Sequence, residues 1–207
     1  MLHLPGTELV YCLEGTTNVS LAELTHLKHL DLSFNNFNFQ AMPKFIGSLS
    51  NLEYLNLSHS WFMGIIPHEF GNLSRLSSLD LSYQGTTMRV ESLSWVSHLR
   101  MLRELDLSET DLSEATNWMS IINNLPLLQI LKMDGCHLAS KRPSSLSYIN
   151  TSNNLHVISL SGNSFNDSSI FQWLSNISKI VTSLSYLDLS FNSCSGRSTH
   201  FHIYILI

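Results

Sequence analysis

Seven times along the chain the same order of hydrophobic and polar positions returns: an aliphatic, two variable residues, an aliphatic, a mostly polar residue and a third aliphatic. The phrases are LKHLDLSFN from Leu27, LEYLNLSHS from Leu52, LSSLDLSYQ from Leu76, LRELDLSET from Leu102, LQILKMDGC from Leu128, LHVISLSGN from Leu155 and LSYLDLSFN from Leu184. Their central aliphatics, Leu30, Leu55, Leu79, Leu105, Leu131, Ile158 and Leu187, follow at steps of 25, 24, 26, 26, 27 and 29 residues. The alternation predicts a short strand in each phrase, because successive side chains of a strand point to opposite faces. In Leu30–Asp31–Leu32 the leucines then face inward and the aspartate outward. A single unit of this kind cannot bury its leucines, but stacked units can, so each coil stabilises its neighbours. With strands about 4.8 Å apart, seven coils span roughly 34 Å.

The last position of each phrase is Asn35, Ser60, Gln84, Thr110, Cys136, Asn163 or Asn192. All seven side chains can form hydrogen bonds. The chain turns away from the strand there, leaving backbone groups that the sheet cannot reach. A polar column satisfies them, and each such group left unsatisfied costs about 1–3 kcal/mol. Gln84 and Thr110 are expected to fit this column less well than the asparagines. The column also accounts for Cys136 without redox or metal chemistry.

The frame L-x-x-L-x-L-x-x-N/C is that of a leucine-rich repeat. The chain therefore reads as α/β, a curved leucine-rich-repeat solenoid of about seven coils. Parallel strands form its concave face, and irregular or short helical segments its convex face. The second coil, HSWFMGIIPHEFGNLSRLSSLDLS, carries Gly64, Ile66, Pro67, Phe70, Gly71, Leu73 and Leu76 and resembles the plant-specific form of the repeat. There Gly64 permits a tight backbone, and the residue before Pro67 is pushed into an extended conformation. The first coil is similar, with Pro43, Ile46, Gly47 and Leu49.

ELTHLKHLDLSFNNF, PKFIGSLSNLEYLNLS, VESLSWVSHLRMLRELDLS and NWMSIINNLPLLQIL extend the likeness from about Leu21 to Asn192. This stretch resembles the extracellular domain of plant leucine-rich-repeat receptor-like proteins, in particular the group typified by ethylene-inducing-xylanase receptors. The resemblance implies a cell-surface recognition module that binds a protein or peptide ligand and works with a co-receptor kinase through the full-length receptor. It implies a place at the extracellular face of the plasma membrane and a role in defence signalling. Two alternatives stand beside it: a truncated receptor copy with no independent function, and a soluble secreted leucine-rich-repeat enzyme inhibitor. On this reading residues 1–20 are an atypical N-terminal segment or incomplete cap, 21–192 the repeat domain and 193–207 an atypical tail.

Net charge is −5 and only 13% of residues are charged, which gives no basic footprint for nucleic acid or an anionic membrane. MLHLPGTELVYCLEG has neither the basic start nor the apolar run of a signal peptide, and no continuous apolar stretch is long enough to span a membrane. Direct membrane contact by this chain is therefore not expected. Cys12, Cys136 and Cys194 are widely separated, and free thiols are expected rather than a disulfide. Six sequons, at Asn18, Asn56, Asn72, Asn150, Asn166 and Asn176, suit an N-glycosylated secreted protein.

Candidate chemistry lies on the concave face. The outward strand column is Asp31, Asn56, Asp80, Asp106, Lys132, Ser159 and Asp188. Its carboxylates, at about 5 Å steps, suit a cation or a basic ligand, but its Asp and Ser residues are expected to hydrogen-bond between neighbouring coils. His29, Tyr54, His59, Tyr83, Arg103, Glu104, His156 and Tyr186 are the candidate ligand-binding residues, since exposed aromatics are favoured at interfaces. They read as non-repeating from coil to coil, along with Lys28, Phe34, Glu109 and Phe191. His26 with His29, and His200 with His202 near Cys194, lack the second element of a zinc site. No catalytic set, metal or cofactor is expected. Trp95, Trp118 and Trp173 sit among aliphatics and read as anchors of the convex core.

Overall fold

A computed structural model describes residues 2–3, 19–84, 88–139, 154–166, 169–178 and 184–192. The seven phrases become seven three-residue strands: β2 (His29–Asp31), β3 (Tyr54–Asn56), β5 (Ser78–Asp80), β7 (Glu104–Asp106), β8 (Ile130–Lys132), β9 (Val157–Ser159) and β10 (Tyr186–Asp188). A further strand, β1 (Leu2–His3), pairs with β2, Leu2 opposite Leu30. The resulting parallel sheet runs β1-β2-β3-β5-β7-β8-β9-β10. Leu30, Leu55, Leu79, Leu105, Leu131, Ile158 and Leu187 lie opposite one another in register, as the periodicity predicts. The Leu2–His3 strand lies within the segment read as atypical, and two residues were too short a signal to mark it.

Inside the coils these aliphatics stack on Leu32, Leu57, Leu81, Leu107, Met133 and Leu160, all buried. Phe37 and Phe62 stack at 4.7 Å in the same core. The convex side is built from 3-10 turns at Val19–Glu23, Lys44–Ser48, His68–Asn72 and Ser94–His98, then helices α1 (Trp118–Asn123) and α2 (Ser169–Ser178). Pro43 and Pro67 precede two of these turns with extended backbone, ψ 118° and 130°. Turn packs on turn so closely that a Cβ on Gly47 would overlap the carbonyl oxygen of Glu69.

The three tryptophans are buried convex anchors, as expected. Trp95 meets Phe70 edge-on, and Trp118 meets Trp173 at 5.1 Å. The indole N–H of Trp173 donates to Asn123 Oδ1 at 2.9 Å. A second, lateral sheet pairs β4 (Gly64–Ile65) with β6 (Met88–Arg89), and Gly64 has φ +90°. Isolated bridges join Ala41 to Met63, Arg89 to Asp111 and Ala139 to Ser164 along the same flank.

The polar column is real, with one expectation corrected. Asn163 Nδ2 donates to the carbonyls of Met133, Leu160 and Ser161, and its Oδ1 accepts the N–H groups of Cys136 and Leu138. Gln84 does not fit poorly. Its extra methylene carries the amide to the carbonyls of Leu57, Leu81 and Ser82, while Oε1 accepts Phe62 N–H at 3.1 Å. Thr110 does fit poorly: its buried Oγ1 has no hydrogen-bond partner among the described residues. The Cys136 thiol donates to Leu107 O, and burial pushes its pKa far up, so it stays a neutral thiol. Cys12 and Cys194 lie outside the described residues.

Candidate functional site

In the outward strand column Ser159 bonds across coils, to Asp134, but the aspartates and Asn56 close turns within their own coils instead. Asp31 Oδ1 accepts Ser33 N–H at 2.9 Å and the Ser33 hydroxyl at 2.7 Å within its own coil. Asn56 with Ser58, Asp80 with Ser82, Asp106 with Ser108 and Asp188 with Ser190 close the same turn. The short acceptor two residues before the N–H is what an Asx turn requires. Each turn sends the next residue into left-handed backbone. Phe34, His59, Tyr83, Glu109, Gly135, Gly162 and Phe191 all have φ between +52° and +63°.

That shared conformation aligns side chains the sequence reading treats as unrelated. Phe34, His59 and Tyr83 stack face to face at 4.5 and 4.7 Å, with interplanar angles of 10° and 7°. His29 and Tyr54, at the first position of β2 and β3, stack at 4.0 Å and 2°. The apparent drift in residue identity is therefore two aligned ring stacks flanking the column Asp31–Asn56–Asp80. Ring faces are largely spent on one another, so the concave surface offers ring edges, imidazole nitrogens and phenol hydroxyls.

Further along the sheet the side chains shorten. Gly135 and Gly162 occupy the positions held earlier by rings, and Val157 and Ser159 the outward positions of β9. An open depression of about 480 Å³ lies there, lined by Tyr83, Asp106, Ser108, Lys132, Asp134, Val157, Ser159 and Tyr186. Lys132 Nζ lies 3.6 Å from Asp106 Oδ2. Burial is the main cause that raises the Asp106 pKa, and the Asp80 carboxylate adds to it. Burial also raises the Tyr83 pKa, with Asp106, Asp134 and Glu109 contributing.

Of the eight residues singled out from sequence, His29 joins Tyr54, His59 joins Tyr83, and Tyr186 lies on the rim of the depression with Tyr83. Glu104 accepts the Ser78 hydroxyl at 3.2 Å. Arg103 and His156 stand one residue before β7 and β9, at the margin, and join neither stack. Lys132 belongs to the outward column named from sequence, whereas Asp134, Gly135 and Gly162 were missed as parts of a site. Their signal was present in MDG and LSG, the places where the phrase LxLS-aromatic is broken. Among the sequons, Asn72 and Asn166 are exposed and Asn56 half-buried on β3. Asn176 lies in α2, and Asn18 and Asn150 fall outside the described residues.

Residues 8–199 match the family described as leucine-rich repeat region. The chain belongs to the leucine-rich repeat family. Within it, similarity runs to plant receptor-like proteins. Receptor-like protein EIX1 of Solanum lycopersicum is 42% identical over 186 residues, 89% of this chain and 18% of that protein. Receptor-like protein EIX2 of the same species is 44% identical over 186 residues, again 89% and 18%. Receptor-like protein 39 of Arabidopsis thaliana is 39% identical over 157 residues, 74% of this chain and 17% of that protein. This leucine-rich repeat chain thus spans less than a fifth of these relatives. The solved PEPR1–AtPEP1 structure shares the fold, with TM-score 0.69 at 22% identity over 88% of this chain and 24% of that one. The Arabidopsis HAESA ectodomain, solved with an IDA peptide hormone, has TM-score 0.65 at 25% identity over 87% and 28%. Among the described residues no helix is long and apolar enough to cross a membrane.

Proposed function

We propose that this chain is a non-catalytic recognition module of a plant cell-surface receptor-like protein, and that its concave face binds a peptide or protein ligand or a co-receptor. The observation that carries the reading is the pair of aligned ring stacks, His29–Tyr54 and Phe34–His59–Tyr83, held on a hydrogen-bonded sheet. Stacking fixes the rings before any ligand arrives, so little side-chain entropy is lost on binding. Aromatic anchors of this kind dominate polypeptide interfaces. The similarity to receptor-like proteins supports the same reading, and so do fold neighbours solved with peptides. Defence signalling as the process rests on the resemblance of the coils to the ethylene-inducing-xylanase receptors.

The test is a binding measurement on the immobilised chain, using a polypeptide pool from the fluid between plant cells, before and after protease digestion of that pool. His59→Ala and Tyr83→Ala should each reduce retention at least about tenfold, a loss of about 1.4 kcal/mol. Lys44→Ala on the convex side should leave it unchanged. Retention that survives both concave substitutions would sink the proposal.

A further inference from the structure

We infer that the depression between Tyr83 and Tyr186 is a specificity pocket for a basic side chain, arginine or lysine, of a polypeptide lying along the concave face. This rests on the reading of that face as a polypeptide-binding surface and adds the chemistry of one ligand residue.

The first observation is the shape. The column that carries Phe34, His59 and Tyr83 continues through Glu109 to Gly135 and Gly162, then ends in Phe191, all in left-handed backbone. Two successive coils have glycine where their neighbours raise a side chain. The place above Gly135 is covered by Glu109, and the open room on these coils is the depression of about 480 Å³ beside it. A Cβ on Gly135 would come within 2.5 Å of Glu109 Oε1, so the Glu109 carboxylate is folded over that glycine.

The second observation is the charge. Asp106 and Asp134 line the depression and Glu109 leans over the neighbouring glycine, against one amine, Lys132. The turn partners of Asp106 and Asp134 are neutral N–H and hydroxyl groups, and Lys132, paired with Asp106, is the one cation among the residues that line the depression. Lys132 is half-exposed on a flexible stem, and its 3.6 Å distance to Asp106 is a loose ion pair. It occupies the place a ligand cation would take and so acts as an internal competitor. The third observation is the pair of walls. Tyr83, stacked on His59 by one face, and Tyr186 are about half-exposed and line the depression, and an aromatic ring beside a guanidinium or ammonium attracts it.

The experiment uses the full 207-residue chain and a defined probe, acetyl-Gly-Ser-Arg-Ser-Gly-amide, followed through the backbone amide signals of Gly135 and Gly162 in nitrogen-15 spectra. The probe should shift both signals saturably. Citrulline or glutamate in place of the arginine should weaken binding at least about tenfold. Lys132→Met should tighten it about threefold or more, and Asp106→Asn should weaken it about fivefold. Asp31→Asn, in the same column but three coils away, should change nothing. The inference is overturned by absence of the glycine shifts, by equal binding of the citrulline probe, or by weaker binding in Lys132→Met. If His59→Ala and Tyr83→Ala still abolish retention of natural polypeptides while this probe fails, the pocket alone is wrong. If those substitutions also have no effect, the reading of the whole face falls.

Discussion

The Asp134 carboxylate crosses to the next coil and accepts the backbone N–H of Ser161 at 2.7 Å. It also holds the Ser159 hydroxyl at 2.8 and 2.9 Å. Five other coils close this turn with their own Asp or Asn, but the sixth has Ser159 at that position and no carboxylate. The fifth coil has exchanged its Asp and Ser for Lys132 and Asp134, and the displaced aspartate serves its neighbour. Asp134→Ser should therefore destabilise the chain by about 1–3 kcal/mol, because Ser161 N–H loses its acceptor. Adding Ser159→Asp should recover most of that loss by rebuilding the turn within the sixth coil. Urea unfolding of the single and double variants checks this, and a double variant no better than the single one would refute the compensation.

The polar column makes a graded prediction. Thr110 leaves Oγ1 buried without a partner among the described residues, whereas Asn163 satisfies five backbone groups. Thr110→Asn should stabilise the chain by about 1 kcal/mol, and Asn163→Ala should cost about 3 kcal/mol or more. Thermal unfolding of both variants measures the difference. Gln84→Asn should be neutral or destabilising, since the longer amide already reaches the Leu57 carbonyl of the preceding coil.

The strand positions and the inward leucines were legible because period-two alternation inside a fixed frame leaves one register that turns the frame aliphatics inward. The site was legible only in part, for a physical reason. Comparing residue identities hides the likeness of Phe34, His59 and Tyr83, which share a ring and a left-handed backbone but little else. The turn that sets this backbone is made by side-chain-to-backbone bonds two residues apart, so its Asp–Ser pairs read as inter-coil links until the donors were placed. Gly135 and Gly162 matter through an absent side chain, which is visible only against the column they interrupt.

Glycosylation should divide the sequons by face. Asn72 and Asn166 are exposed, away from the ring stacks. Asn56 Nδ2, the atom a glycan would modify, donates to the Tyr54 hydroxyl at 3.3 Å, and Oδ1 accepts from Ser58. In secreted protein Asn72 and Asn166 should carry glycans and Asn56 should not. Enzymatic deglycosylation in heavy-oxygen water, followed by peptide mass spectrometry, marks each used site. A glycan on Asn56 would cover the His29–Tyr54 stack and count directly against ligand binding there.

The acid response should turn on Asp106. Burial chiefly raises its pKa, the Asp80 carboxylate adds to that, and Ser108 and Lys132 oppose it. A carboxyl whose folded pKa lies above its unfolded value favours the folded state below the unfolded pKa. That advantage is lost as pH rises through the folded value. At pH 7 the ionised Asp106 is thus a cost. Asp106→Asn, which keeps the Oδ1 acceptor for Ser108 N–H, should raise stability there by about 1 kcal/mol or less. The gain should shrink as pH falls and vanish below the ordinary aspartate pKa of about 3.9. Asp111 and Asp188 have the opposite sign. Backbone N–H donation from Ser113 and Ser190 holds their pKa values down, so they stabilise above the ordinary value and lose that as pH falls. Urea midpoints from pH 3 to 8 for the parent and Asp106→Asn separate the two effects. The curves should converge in acid and diverge toward neutrality, and a variant less stable at pH 7 would mean that the Lys132 pairing outweighs the burial of the charge.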